Sequence, residues 1–382
     1  MDTLKIKEKF KSLYGAEGTM YKAPGRINII GEHTDYNGGF VLPGAIDKAM
    51  YCEIKPNGTN KVRAYALDLN ESCEFGMAET DKPDLQWACY IFGICREMAK
   101  KGKSVPGFDT VFAGNVPLGA GMSSSAALES CFGFALNDTY KLGFTLMEIA
   151  LMGQATEHNY VGIKCGIMDQ FASCHGKEGY LMKLDCRSLE FEYVPFDPKG
   201  YKVVLINTCV EHNLAAGGEY NKRRESCERV VAEIAKTHPE VKLLRDADMS
   251  MLVAVQKKVD AVDYQRAEFV VGEIQRLLDA CAAMEKDDYE TVGKKMYETH
   301  EGLSKKYEVS CPELDFLNEM AKECGVTGSR VMGGGFGGCT INLVKNELYD
   351  AFIKKATEEY QAKFNIKPKI YDVIIKNGAE KL

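Results

Sequence analysis

The stretch Ala23–Pro43, APGRINIIGEHTDYNGGFVLP, sets Arg26, Glu32, His33 and Asp35 among apolar residues, glycines and bracketing prolines. A solvated helical face would spread its charges at helical spacing. Here the apolar run Ile27 to Ile30 leads straight into Gly31 and a polar cluster, the pattern of a strand ending in a binding loop. Carboxylates accept hydrogen bonds from hydroxyls and imidazole donates or accepts, so these side chains suit a polyhydroxylated ligand. The alternative at this point is a salt-bridged turn, because charges are seldom buried without partners.

Working outward, Pro117–Glu129 reads PLGAGMSSSAALE. Gly119 and Gly121 permit close backbone approach, and Ser123, Ser124 and Ser125 stand where a helix begins. Free N–H groups and the helix dipole there face an anion, and hydroxyls add donors or metal ligands, which suits a polyphosphate. Simple N-capping explains one of the three serines at most. No G-x-x-x-x-G-K-[ST] occurs, and the missing third glycine argues against a dinucleotide fingerprint. A third glycine cluster, GSRVMGGGFGG at Gly328–Gly338, reads equally as a close approach to a ligand or as a tightly packed bend. In GIKCGIMDQFAS, Asp169 lies among Ile167, Met168 and Phe171, where a carboxylate must be paired, protonated or functional. Glu157, on a preceding helical stretch, is a candidate metal carboxylate, although a helical Glu is more often merely solvated.

A chain of 382 residues is expected to hold two domains, and we place the boundary near residue 200, giving units 1–200 and 201–382. A formal charge of −7 argues against nucleic acid or an anionic membrane as the main partner. The 14 cysteines are dispersed with no C-x-x-C, which fits reduced thiols in a cytoplasmic protein. The opening MDTLKIKEKFKSLYG reads as an amphipathic helix rather than a signal peptide, and no apolar run is long enough to span a membrane. Met50–Ile54 and Lys61–Leu67, with turn signals at Pro56, Asn57 and Gly58, predict a hairpin. Helices are expected over Leu85–Lys100, Ser123–Tyr140 and Thr145–Tyr160, and strands over Gly107–Phe112, Gly179–Leu184, Leu189–Val194 and Tyr201–Asn207. Glu219–Cys324 is mostly helical in pattern. It is followed by a glycine-rich strand region to Val344, a helix and a last strand near Lys369–Ile375. This mixed order fits an α+β fold better than a doubly wound sheet.

Taken together, GRINIIGEHTDYN, PLGAGMSSSAALE and GSRVMGGGFGGCT resemble the three motifs of the galactokinases of the GHMP small-molecule kinase superfamily. The similarity continues through CGIMDQFAS, YNKRRESC at Tyr220–Cys227 and YEVSCPELDFL at Tyr307–Leu317, and so covers nearly the whole chain. The resemblance implies a two-domain α+β architecture: an N-terminal domain like ribosomal protein S5 domain 2, a ferredoxin-like C-terminal domain, and the site between them.

It also implies transfer of the γ-phosphate of ATP to O1 of α-D-galactose, with Mg²⁺, by a cytoplasmic, monomeric enzyme. Asp169 would match the catalytic carboxylate and Arg26 the charge beside the transferring phosphoryl group. Glu32, His33, Asp35 and Tyr220 match sugar-binding residues. Gly119, Ala120, Gly121, Met122, Ser123, Ser124 and Ser125 match the triphosphate loop, and Ser125 and Glu157 the Mg²⁺ ligands. Trp87 corresponds to an aromatic position that borders adenine, although its helical spacing equally suits a core residue. Where many bacterial relatives carry an ATP-contacting serine, this chain has Ala66. The alternatives are a kinase for a related sugar such as N-acetylgalactosamine, or a non-catalytic galactose sensor.

Overall fold

The amphipathic opening forms helix α1 (Leu4–Tyr14), closed by Gly15 in the left-handed conformation with its N–H on the Lys11 carbonyl. This computed structural model describes residues 3–210 and 218–382, so the first two residues of that expected helix lie outside it. Strands follow as β1 (Thr19–Asn28), β2 (Phe40–Val41), β3 (Pro43–Pro56), β4 (Lys61–Ala66), β5 (Glu71–Gly76) and β6 (Phe108–Gly114). Later in the chain come β7 (Tyr180–Asp185), β8 (Phe191–Pro195), β9 (Tyr201–Asn207), β10 (Gly328–Val331), β11 (Cys339–Lys345), β12 (Lys369–Asp372) and β13 (Glu380–Lys381).

The first sheet has the order β13-β1-β3-β6-β4-β5. Helices α2 (Gln86–Lys100), α3 (Ser124–Tyr140), α4 (Leu146–Thr156) and α5 (Met168–His175) cover one face and α1 the other. Strand β6 shows why both faces are dry. Its Phe108 and Phe112 join the core under α2 and α3, while the alternate residues Val111 and Ala113 pack with Ile6 and Phe10 of α1.

The expected hairpin is not formed. Strand β6 lies between β3 and β4, antiparallel to the first and parallel to the second. The turn residues instead grip the start of β6: the Asn57 N–H donates to the Gly107 carbonyl, and the Gly107 N–H to the Thr59 carbonyl. A Cβ at Gly107 would meet the Lys61 carbonyl oxygen at 2.4 Å, so only glycine lets the third strand slide between the other two.

The second sheet, β10-β11-β9-β12, is antiparallel throughout. Between β9 and β10 run α6 (Glu219–Ile234), α7 (Met249–Val255), α8 (Ala261–Met284), α9 (Tyr289–Lys305) and α10 (Pro312–Glu323), and α11 (Tyr349–Phe364) links β11 to β12. This order is that of a ferredoxin-like β-α-β-β-α-β unit with an enlarged first crossover. Val204 and Ile206 face α10 and α11. On the other face, Val203 and Leu205 share a core with Leu277 of α8 and with Ile27, Ile29 and Ile30 of the opening motif. That core fixes the motif against the second sheet. A third, three-stranded sheet, β2-β7-β8, flanks it. Beyond β12 the chain returns to the first sheet, where Ile375 bridges Ile46 and β13 pairs with β1. All 14 cysteines are unpaired thiols, and no helix among the described residues is long and apolar enough to cross a membrane.

Candidate active site

Arg26 leaves β1 at a bulge, where the register with β3 shifts between Pro24 and Arg26. The preceding Gly25 lies so close to the phosphate loop that a Cβ there would meet the Met122 carbonyl at 2.4 Å. From this bend the Arg26 guanidinium reaches Asp169 at the start of α5, with Nε to Oδ1 at 2.9 Å and Nη2 to Oδ1 at 2.8 Å. Ser123 donates to the other oxygen, Oδ2. Ser123 is the residue before α3 and has φ of 60°, but its side chain makes no cap bond. The strained backbone therefore turns its hydroxyl onto the carboxylate. Asp169 is one-third exposed and Arg26 is buried, so the pair is a fixed salt bridge whose carboxyl has one open side.

The two glycine loops pack on one another. A Cβ at Gly121 would lie 3.0 Å from the Met332 carbonyl, and one at Gly333 3.2 Å from the Gly121 carbonyl. Gly335, at φ of 81°, abuts the Val309 backbone, where a Cβ would meet the carbonyl oxygen at 2.2 Å. The packed-bend reading of the third cluster holds at Gly335, while Gly333 and Gly334 line a cavity. Gly335→Ala is accordingly expected to lower stability by about 2–4 kcal/mol, through left-handed strain together with a backbone clash. Thermal unfolding reads this, and an unchanged midpoint would contradict the close packing.

A cavity of ≈ 130 Å³ gathers Arg26, Asp169, Glu32, His33, Asp35 and Tyr220, with Ser125 and Glu157 at its wall. Arg26, Glu32, His33 and Asp35 of the opening motif therefore meet in one place. Glu32 is only partly free: Oε1 accepts from Arg330 at 3.0 Å and from the Gly333 N–H at 2.9 Å. His33 has φ of 59°, and burial holds its imidazole neutral by pulling its pKa down to about 3. Burial, and then the charge of Asp169, push Asp35 up to about 7. Burial does the same for Glu157, to about 7, against a hydrogen bond from Ser125.

A carboxyl with a raised folded pKa stays protonated in the folded state while the unfolded chain ionises. Its contribution is full below the unfolded value near 4 and is lost as pH rises through about 7. Between about pH 5 and about pH 8, Asp35→Asn should lose less stability than the unsubstituted protein. Parallel melting-temperature profiles check this, and identical slopes would exclude Asp35 as the source.

Glu157 begins a π-helical turn, Glu157–Val161, where α4 was expected to run on to Tyr160; the Gly162 N–H reaches the Glu157 carbonyl at 2.7 Å. Its Oε2 is buried with no hydrogen-bond partner. An orphaned carboxylate oxygen beside a serine hydroxyl is a donor set suited to a hard cation such as Mg²⁺.

Ser125 also borders a second cavity of ≈ 560 Å³, lined by Trp87, Tyr90, Phe112, Leu85, Ala66 and Ser124. Trp87 is both core and wall: it is buried against Phe112, and its Nε1 donates to Glu71 at 2.8 Å. Ser124, Ser125 and Ala126 form the first turn of α3, whose N–H groups have no partner within the helix, and Ser125 stands where the two cavities meet.

The chain matches the family profiles for the galactokinase galactose-binding signature over residues 8–56, the GHMP kinase N-terminal domain over 89–177 and the GHMP kinase C-terminal domain over 280–362. It is 39% identical to the galactokinase of Clostridium acetobutylicum over 99% of this chain and 98% of that one. The chain belongs to the galactokinase family. Another galactokinase, from Thermosipho africanus, is 37% identical over 94% of this chain and 99% of its own. The galactokinase of Lactococcus lactis, solved in complex with galactose, superimposes with a TM-score of 0.93 at 33% identity, with 98% of each chain covered. The mevalonate kinase of Methanococcus jannaschii shares the fold, with a TM-score of 0.65 at 20% identity over 95% of this chain and 100% of that one. Within this galactokinase chain, sequence reasoning missed Arg330, Tyr36 and Tyr307. Arg330 was hidden in a glycine-rich segment, although an arginine beside the apolar pair Val331 and Met332 was itself a signal of a buried partner.

Proposed function

We propose that this chain transfers the γ-phosphate of ATP to O1 of α-D-galactose, giving α-D-galactose 1-phosphate and ADP. One observation carries the reading: Ser125 is a shared wall between the cavity holding Glu32, His33, Asp35 and Tyr220 and the larger one holding Trp87, with Asp169 in the first of them. A sugar hydroxyl in the smaller cavity would lie between a base and the serine-rich loop.

In this reading Asp169 takes the O1 proton as the new O–P bond forms and the bond from the γ-phosphorus to the bridging oxygen of ADP breaks. Arg26 orients Asp169 and stabilises charge on the transferring group. Gly119, Ala120, Gly121, Met122, Ser123 and Ser124 surround the triphosphate, with the open amides of α3 turned towards it. Glu32, His33, Asp35 and Tyr220 hold the sugar hydroxyls, and Trp87 borders the base. Ser125 and Glu157 would hold Mg²⁺, which neutralises phosphate charge when bound. The proposed domains, 1–200 and 201–382, meet at the first motif, with the last strand crossing back. The enzyme is proposed to act as a cytoplasmic monomer.

The Arg26–Asp169 pair and the serine loop are intact, which favours an enzyme over a sensor. A coupled ADP-release assay with galactose, ATP and Mg²⁺ tests the reading. Turnover should require the sugar and vanish with a chelator, and galactose should rank first by kcat/KM in a sugar panel. Absence of galactose-dependent ADP release would overturn it.

A further inference from the structure

Apart from Tyr220, two segments remain unexplained by the chemistry, YNKRRESC and YEVSCPELDFL, and both converge on His33. Its Nδ1 lies 2.8 Å from the Tyr36 hydroxyl, which lies 2.7 Å from the Tyr307 hydroxyl, which in turn lies 3.5 Å from the Cys227 thiol. All four residues are buried. Arg223 holds the Tyr307 carbonyl through Nε at 3.2 Å, and Asn37 holds the His33 carbonyl through Nδ2 at 2.9 Å. The remaining ring nitrogen, Nε2, is buried with no side-chain partner, in a residue that lines the smaller cavity beside the Gly334 backbone.

We infer that Tyr36 and Tyr307 are positioning residues that fix the ring orientation and tautomer of His33, so that Nε2 is presented to a sugar hydroxyl in one hydrogen-bonding sense. This inference rests on the smaller cavity being the sugar site. A neutral imidazole offers one donor and one acceptor, so the role of Nε2 is settled by what Nδ1 does. A hydroxyl shared between two partners can donate to only one of them. Reversing the sense at Nδ1 therefore requires Tyr36 and Tyr307 to reverse together, and the relay disfavours a mixture of tautomers. Tyr36 comes from the opening motif, Tyr307 follows α9 and Cys227 sits on α6. The helical crossover of the second sheet thus sets the chemistry of a residue in the first motif.

The test removes one hydroxyl at a time. Tyr36→Phe should raise the galactose KM about tenfold and Tyr307→Phe about threefold, with kcat within about twofold and the ATP KM unchanged. The double variant should be no worse than Tyr36→Phe, because the outer hydroxyl acts only through the inner one. A readout independent of turnover is ¹⁵N NMR of the imidazoles in the free protein. The chain has 6 histidines, and the His33 signals are assigned by their loss in His33→Gln. Wild-type His33 should show a single tautomer, and Tyr36→Phe a mixture of both. Ring-nitrogen shifts unchanged in Tyr36→Phe, or a galactose KM unchanged in Tyr307→Phe, would each overturn the relay. Should the protein phosphorylate no galactose while the ¹⁵N shifts respond, the relay stands and the assignment of substrate falls.

Discussion

Asp169→Asn is expected to lower kcat by ~10²–10⁴-fold while leaving galactose affinity within a few-fold of the unsubstituted protein. The substitution preserves volume: the amide oxygen still accepts from Arg26, and the amide nitrogen donates to the Ser123 hydroxyl, so both keep a partner. What disappears is a group able to hold the O1 proton, together with the negative charge that faces the Arg26 guanidinium. A loss of that size corresponds to about 3–5 kcal/mol of transition-state stabilisation. Single-turnover ADP formation and calorimetric sugar binding separate the two effects. Turnover within tenfold of the unsubstituted protein would place the base elsewhere. A parallel loss of sugar binding would mean instead that Asp169 shapes the cavity.

The second large effect concerns Arg330, a fully buried guanidinium whose Nε donates to the Ile29 carbonyl at 2.8 Å, while its other nitrogens reach the carbonyls of Asn28 and Val331 and the carboxylate of Glu32. It thereby joins the end of β1 to β10. Arg330→Met leaves Glu32 buried with only the Gly333 N–H and strips three carbonyls of a donor. A loss of about 3–5 kcal/mol in stability is expected, with weaker sugar binding because Glu32 is no longer held. Pairing it with Glu32→Leu should recover part of the stability but none of the binding, since removing both partners is milder than stranding one. Chemical denaturation of the two variants decides this. An unchanged midpoint for Arg330→Met would show that water replaces the guanidinium.

Much of the site was readable because its residues are close in sequence. Glu32, His33 and Asp35 need only the turn that follows Ile30, and the serines need only the start of α3. Asp169 and Arg26 are far apart in the chain, yet each sat in apolar company that demanded a partner. The less legible parts depend on tertiary placement. Nothing local distinguishes Pro56–Asn60 as a hairpin turn from a loop gripping a third strand, because the deciding contact is Gly107, which enters from elsewhere. Tyr36 and Tyr307 resemble ordinary core aromatics until the fold brings their hydroxyls together. The π-helical turn at Glu157 breaks no helical pattern in its sequence, EHNYV, so its reorientation could only be seen in three dimensions.

The return of the chain to its first sheet bears on biosynthesis. Strand β13 bonds Tyr21 and Lys22 through Lys381 and Glu380, so one edge of the sheet carrying Arg26 is covered by residues made after the whole second sheet. Until then the outer edge of β1 is unpaired and open to pairing with another chain. A nascent chain stalled after β12 should therefore remain more susceptible to protease around Tyr21 than the released protein. The first sheet would then be closed only after the second is complete.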